Sequence, residues 1–311
     1  MTISVPEQQK IHLDEKGYND LSAILLNKNE SLAKRFRTLF TLKAVNTMEA
    51  INIISEAFVD DSALLKHELA YVLGQMKNPL ALPTLYKILA DLNQEPMVRH
   101  ESAEAIAAIG LLESLDFLKK YEQDESVVVK ETVGLAIAKL LHDNSTKEEV
   151  ESQKIYSSID PAPPTKEILS TEELKERLNC TTLPLFERYR AMFALRNKGD
   201  TDSVLALASG FQDESALFRH EIAYVFGQLQ HPASVPSLIE TLSNTNELSM
   251  VRHEAAEALG SIATPECFPC LRQFSEDPDK TVRDSCIVGL DMYEYEVSGD
   301  FQYATKIEIE K

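Results

Sequence analysis

Met97-Val98-Arg99-His100-Glu101 recurs unchanged 153 residues later as Met250-Val251-Arg252-His253-Glu254. Extending outward at that offset, residues 32–142 overlay residues 185–295 without a gap. Ala63-Leu64 falls on Ala216-Leu217, Ala70-Tyr71-Val72 on Ala223-Tyr224-Val225, and Gly74-Gln75 on Gly227-Gln228. Pro79 and Pro83 fall on Pro232 and Pro236. This is an internal duplication. Within each half a shorter period of 30 to 33 residues recurs: one helix patterned V-R-x-x-A, then one patterned P-x-L, as in Leu82-Pro83-Thr84-Leu85. A helical hairpin of that length cannot bury its apolar face alone, so neighbouring hairpins must stack.

The sequence therefore predicts an all-α, HEAT-like helical-repeat solenoid. Its two four-repeat halves have units starting near residues 31, 62, 95 and 126, and near 184, 215, 248 and 279. Strand-like alternation is nearly absent. The expected divisions are an N-terminal tail at 1–20, a first half at 21–142, a linker at 143–171, a second half at 172–296 and a C-terminal tail at 297–311. The linker is acidic, Ser-rich and broken by Pro161-Ala162-Pro163-Pro164, the composition of a disordered connection.

The chain has 311 residues and a formal net charge of −19. That charge argues against nucleic-acid binding, which needs Lys and Arg to displace counterions, and against anionic membranes. It suits a cationic partner or substrate. No signal peptide and no apolar run of membrane-spanning length is found, so a cytoplasmic monomer is expected. Cys267 and Cys270 form a lone C-x-x-C without a second ligand pair, and Cys180 and Cys286 stand apart; all four read as reduced structural thiols.

Four of the seven histidines precede a glutamate: His67-Glu68, His100-Glu101, His220-Glu221 and His253-Glu254. The spacing is 33 residues within each half. On a helical wheel, Leu65, Leu69, Val72, Leu73 and Met76 form the buried stripe, and His67 lies nearly opposite its centre. Small residues at i+7 (Gly74, Ala107, Gly227, Gly260) and i−4 (Ala63, Pro96, Ala216, Ser249) are expected to leave room for an ion and a substrate. In the outer repeats the equivalent positions read as Arg37, Lys130, Arg190 and Arg283, so the fold itself does not demand histidine.

Imidazole plus carboxylate without thiolate fits iron, manganese, nickel or zinc, and two equal sets suggest two ions. Glu104 and Glu257, at i+4 from His100 and His253, compete with Glu101 and Glu254 as ligands on spacing alone. Tyr71, Tyr224, Gln75 and Gln228 are weaker candidates for supporting hydrogen bonds. A dinuclear metallohydrolase and a non-catalytic protein-binding scaffold are the competing functional readings.

HEAT-like repeats in two halves, with His-Glu in the two central units of each, resemble the deoxyhypusine hydroxylase family over residues 20–296. The resemblance implies a non-haem di-iron enzyme using O2. Its substrate would be the deoxyhypusine side chain of translation initiation factor five-A, hydroxylated to hypusine. It implies iron ligation by His67, His100, Glu101, His220, His253 and Glu254. Glu68 and Glu221 match catalytic positions that act as outer ligands or receive the substrate's amines.

Overall fold

The computed structural model describes residues 13–145 and 155–298. Among them sixteen α-helices and no strands are found. The first half comprises α1 (Glu15–Leu25), α2 (Leu32–Val45), α3 (Met48–Glu56), α4 (Ala63–Gln75), α5 (Leu82–Ala90), α6 (Pro96–Ile109), α7 (Leu115–Leu118) and α8 (Val127–Ser145). The second repeats this order with α9 (Thr171–Asn179), α10 (Leu185–Lys198), α11 (Thr201–Ala208), α12 (Ala216–Leu229), α13 (Val235–Ser243), α14 (Ser249–Ile262), α15 (Cys267–Phe274) and α16 (Lys280–Ser298).

Helix boundaries follow local chemistry. Ser31, Ser62 and Ser215 each accept an amide hydrogen bond at the start of α2, α4 and α12. Pro96 opens α6, where its missing N–H costs nothing, and Gly110 closes it at φ +84°.

The even-numbered helices stack side by side as an inner layer, and the shorter odd-numbered ones cover them. The stack closes on itself: α8 packs on α10 and α12, and α16 returns to α2 and α4. Val288 of α16 is fully buried in the core of the first half, and Leu135 of α8 in that of the second. The expected solenoid is thus a ring. Residues lying off the apolar stripe, His67 among them, face an enclosed axis rather than water.

Successive repeats are fastened by a device used four times. Arg35, Arg99, Arg188 and Arg252 donate from Nε to the carbonyls of Leu25, Leu89, Leu178 and Leu242, at the ends of the preceding outer helices. Each guanidinium then pairs with Asp60, Asp124, Asp213 or Asp277, just before the next inner helix.

These arginines and the helix caps fix the register between repeats. Arg35 occupies the place of Arg99, so Phe36 rather than Arg37 stands where His100 does; likewise Tyr189, rather than Arg190, stands where His253 does. Counting from the starts of α8 and α16, Glu131 and Asp284 replace Lys130 and Arg283. The outer positions are therefore aromatic or acidic, and the sequence alignment of the outer repeats is one residue out of step.

The small residues have another use as well. A Cβ on Gly74 would lie 2.7 Å from the Cα of Ala105, and one on Gly260 would lie 2.6 Å from the Cα of Gly289. These glycines let inner helices touch backbone to backbone. Gly74 and Gly260 do not line the central cavity, whereas Gly227 does.

The termini and linker also differ from expectation. Helix α1 begins inside the predicted tail, capped by Asp14. Residues 158–165 lie against the ring: Ala162 is fully buried, and the Thr165 amide donates to the Arg190 carbonyl at 3.1 Å. Of the predicted tails and linker, residues 1–12, 146–154 and 299–311 fall outside the described residues. Cys267, Cys270 and Cys286 are buried free thiols whose pKa values burial raises, consistent with structural roles.

Replacing Arg252 by Ala strands Asp277, 5% exposed, and the Leu242 carbonyl. Removing one partner of a buried ion pair costs about 3–5 kcal/mol, a loss to be read from urea unfolding at pH 7.

Candidate metal centre

Each His-Glu pair sits in the second turn of an inner helix: α4, α6, α12 and α14. Quasi-equivalent residues meet across the ring axis. The centroids of His67 and His220 are 5.7 Å apart, and one turn further along, the Tyr71 and Tyr224 hydroxyls bond each other at 3.0 Å. His67 lies 5.4 Å from His100 and 5.1 Å from His253; His220 lies 5.5 Å from His100 and 5.3 Å from His253. All four imidazoles are buried, His100 and His253 completely. The sequence-predicted residues therefore converge on one point.

Their surroundings are as informative as their proximity. Both ring nitrogens of all four histidines lack a hydrogen-bond partner. Carboxylates are nevertheless close: His67 Nε2 lies 3.3 Å from Glu101, His220 Nε2 3.5 Å from Glu254, and His253 Nδ1 3.5 Å from Glu257. Groups that approach without hydrogen-bond alignment are placed to face a shared third partner. A buried polar group without a partner costs about 1–3 kcal/mol, so eight such nitrogens in one spot mark a built site. One donor atom each from His67, His100 and Glu101 lies within 4.8 Å of the others, and the same holds for His67, His220 and His253. Either group can hold a metal ion.

Glu68, Glu101, Glu104, Glu221, Glu254 and Glu257 all line one cavity of about 320 Å³ over the imidazoles. Burial pushes Glu68 and Glu101 up to about 8 and Glu257 up to about 7. Burial also holds Glu104, Glu221 and Glu254 well above the carboxylate range, with repulsion from their neighbours adding to it. The same desolvation lowers all four histidines. Without metal, burial favours the uncharged forms of these carboxyls and imidazoles. Cations arriving there would release the protons and satisfy one nitrogen of each ring together.

Spacing alone leaves Glu101 against Glu104 open. In the fold Glu101 is beside His67, while Glu104 faces Lys139 across the α6–α8 contact. Gln75 and Gln228 hold the segment before the second half. Gln75 exchanges two hydrogen bonds with the Ile159 backbone, and Gln228 donates to Ser158 and Tyr224. Sequence reasoning missed Lys43, which lines the cavity near Glu68 and whose pKa burial lowers. It also missed Arg196, 153 residues on, which pairs with Asp160 and is 3% exposed. That both quasi-equivalent positions are cationic was the available signal.

A HEAT-repeat ring enclosing imidazole–carboxylate sets offers the donor groups of a metal-binding protein. The HEAT repeats family matches residues 49–138, and the PBS lyase HEAT-like repeat matches residues 218–244 and 251–277. The deoxyhypusine hydroxylase of Candida albicans is 53% identical, covering 95% of this chain and 98% of its own. That of Mus musculus is 52% identical over 94% and 97%. The structure of human deoxyhypusine hydroxylase in complex with glycerol superposes with a TM-score of 0.88 at 50% identity, covering 90% of this chain and 96% of that one. The chain belongs to the deoxyhypusine hydroxylase family. Among the described residues no helix is long and apolar enough to cross a membrane.

The raised carboxylates give the metal-free protein a defined pH response. Between pH 6.5 and 8 the unfolded chain has already ionised its glutamates, while folded Glu68 and Glu101 keep protons until about 8. The folded state then binds more protons, so its stability falls as pH rises. Below pH 6.5 the four unfolded histidines take up protons that the folded ones refuse, which offsets part of the proton excess held by the six folded glutamates and makes the pH dependence shallower. Metal-free Tm should therefore decline from pH 6.5 to 8 in scanning calorimetry. Saturating Fe(II) under anaerobic conditions should flatten or reverse that decline, because metal needs the ligands deprotonated.

Proposed function

We propose that this protein hydroxylates the deoxyhypusine side chain of translation initiation factor five-A, using O2 at two non-haem irons. The observation that carries the reading is the set of eight unpartnered imidazole nitrogens facing buried carboxylates, in a chain of this family. His67, His100 and Glu101 would hold one iron, and their quasi-equivalents His220, His253 and Glu254 the other. A mixed imidazole–carboxylate shell with open positions suits Fe(II) meeting O2. When bound, the irons supply the redox chemistry that lets O2 replace hydrogen at an unactivated carbon.

The chain's residues have the remaining tasks. Glu68 and Glu221, one position beyond His67 and His220, line the cavity and can accept hydrogen bonds from the substrate's amines. A protonated secondary or primary amine entering the cavity would draw these carboxyls into their charged form, fixing the aliphatic chain between them. The Tyr71–Tyr224 bond spans the axis over the imidazoles and limits the water beside the reacting carbon. The net charge of −19 speeds encounter with a basic protein loop, an advantage that salt weakens. A cytoplasmic location follows from the substrate, a translation factor.

Aerobic incubation of the iron-loaded protein with deoxyhypusine-bearing factor, followed by mass measurement, should show one added oxygen atom; an unchanged mass would refute the reading. His67→Ala and His253→Ala should lose iron by elemental analysis and lose turnover at least a hundredfold, with helical circular dichroism retained. Each removes unpartnered nitrogens, so no buried partner is stranded. Glu68→Gln and Glu221→Gln should weaken factor binding more than they lower iron content. Equal iron loss in Glu68→Gln and Glu101→Gln would overturn that division of roles.

A further inference from the structure

The duplication makes the ring two-fold in outline, so the cavity should have two equivalent mouths. The Tyr71–Tyr224 bond crosses the axis between them. One mouth is bounded by α6, α8 and α10, the other by α14, α16 and α2. Residues 156–162 break the equivalence by crossing only the first. Arg196 of α10 pairs with Asp160 at 2.7 Å and stacks 4.3 Å from the ring of Tyr156. Gln75 and Gln228 fasten Ile159 and Ser158 from opposite halves of the ring. Pro161 closes over Glu104 and Lys139, leaving a void of about 10 Å³.

Comparing residues 153 positions apart shows the consequence. On the strapped side Arg196, Lys139 and Ala108 are 3%, 8% and 4% exposed. Their counterparts Lys43, Met292 and Ser261 are half-buried, and all three line the 320 Å³ cavity. The same scaffold positions are filled on one side and open to the cavity on the other.

We infer that substrate enters only through the mouth bounded by α2, α14 and α16, and that Met292 and Ser261 determine which side chains pass. The reading rests on the proposed deoxyhypusine ligand. Met292 offers an apolar surface to a run of methylenes where its counterpart is a lysine. Glu68 and Glu257 line the same cavity beside that mouth, placed to receive cationic nitrogens. The ligand class is therefore a long unbranched alkylamine, led in by its charged end. The 156–162 strap is a fixed wall, not a door.

Association of deoxyhypusine-bearing factor with the full-length, iron-loaded protein tests this, with iron content measured in parallel. Met292→Trp and Ser261→Trp should each slow association and raise Kd at least tenfold while keeping full iron occupancy. Gln75→Ala, which frees the strap at Ile159, should leave the association rate within twofold. Unchanged association in both tryptophan variants, or a fivefold acceleration in Gln75→Ala, would overturn the choice of mouth. Failure of the wild-type protein to bind the factor would instead overturn the proposed function, so the two failures are distinguishable.

Discussion

The contacts of α16 with α2 and α4, and of α8 with α10 and α12, are the constraint from which the remaining features follow. A stack of helical hairpins left open presents one concave face to water, where a histidine opposite the apolar stripe would be hydrated. Closing the stack turns that face inward. The side chains on it then lose water without gaining the apolar contacts that ordinarily compensate burial. Only groups with a partner on the axis, or the prospect of one, can occupy such positions without large cost.

That cost sets the chemistry of the centre. Moving an isolated carboxylate into a dry interior costs on the order of 20 kcal/mol in the idealised limit and several kcal/mol after relaxation. Six glutamates around one cavity, four of them buried and two half-buried, could not readily remain charged together, and their raised pKa values express this. Two divalent ions would bring four positive charges to the same space and take up one ring nitrogen of each of the four imidazoles. Arginine was not used for this purpose. The buried arginines 35, 99, 188 and 252 are committed to helix ends and aspartates between repeats. The chain thus keeps its structural charges paired between repeats, apart from the crowded carboxyls and imidazoles at the axis.

Much of this is legible in the order of the amino acids. The 153-residue offset establishes the two halves, and four His-Glu pairs locate the centre because identical residues on identical helices must occupy equivalent places. Periodicity does not reveal closure, because whether α16 meets α2 depends on the accumulated tilt of eight hairpins. Local pattern misplaces the register of the outer repeats by one residue for a related reason. Arg35 and Arg99 are equivalent through a carbonyl ten residues back and an aspartate 25 residues on, contacts that no local pattern displays. Pro161-Ala162-Pro163-Pro164 has the composition of a loose connection. Yet Ala162 is fully buried, because Asp160 finds Arg196, Gln75 bonds the Ile159 backbone and Gln228 bonds the Ser158 hydroxyl.

A duplicated protein that acts on an unsymmetrical substrate needs something outside the repeat to distinguish its halves. Two identical ligand sets would otherwise bind the side chain in either of two orientations, only one of which places a given carbon correctly. Fusing two copies in one chain supplies the difference, because a single segment joins them and the opposite seam is made by the first and last inner helices, α2 and α16. Here that segment fills the mouth beside α10, and Lys43 and Met292 stand where Arg196 and Lys139 are sealed. The ligand sets can then stay nearly equal while the two sides of the cavity differ through the one element that the duplication did not copy.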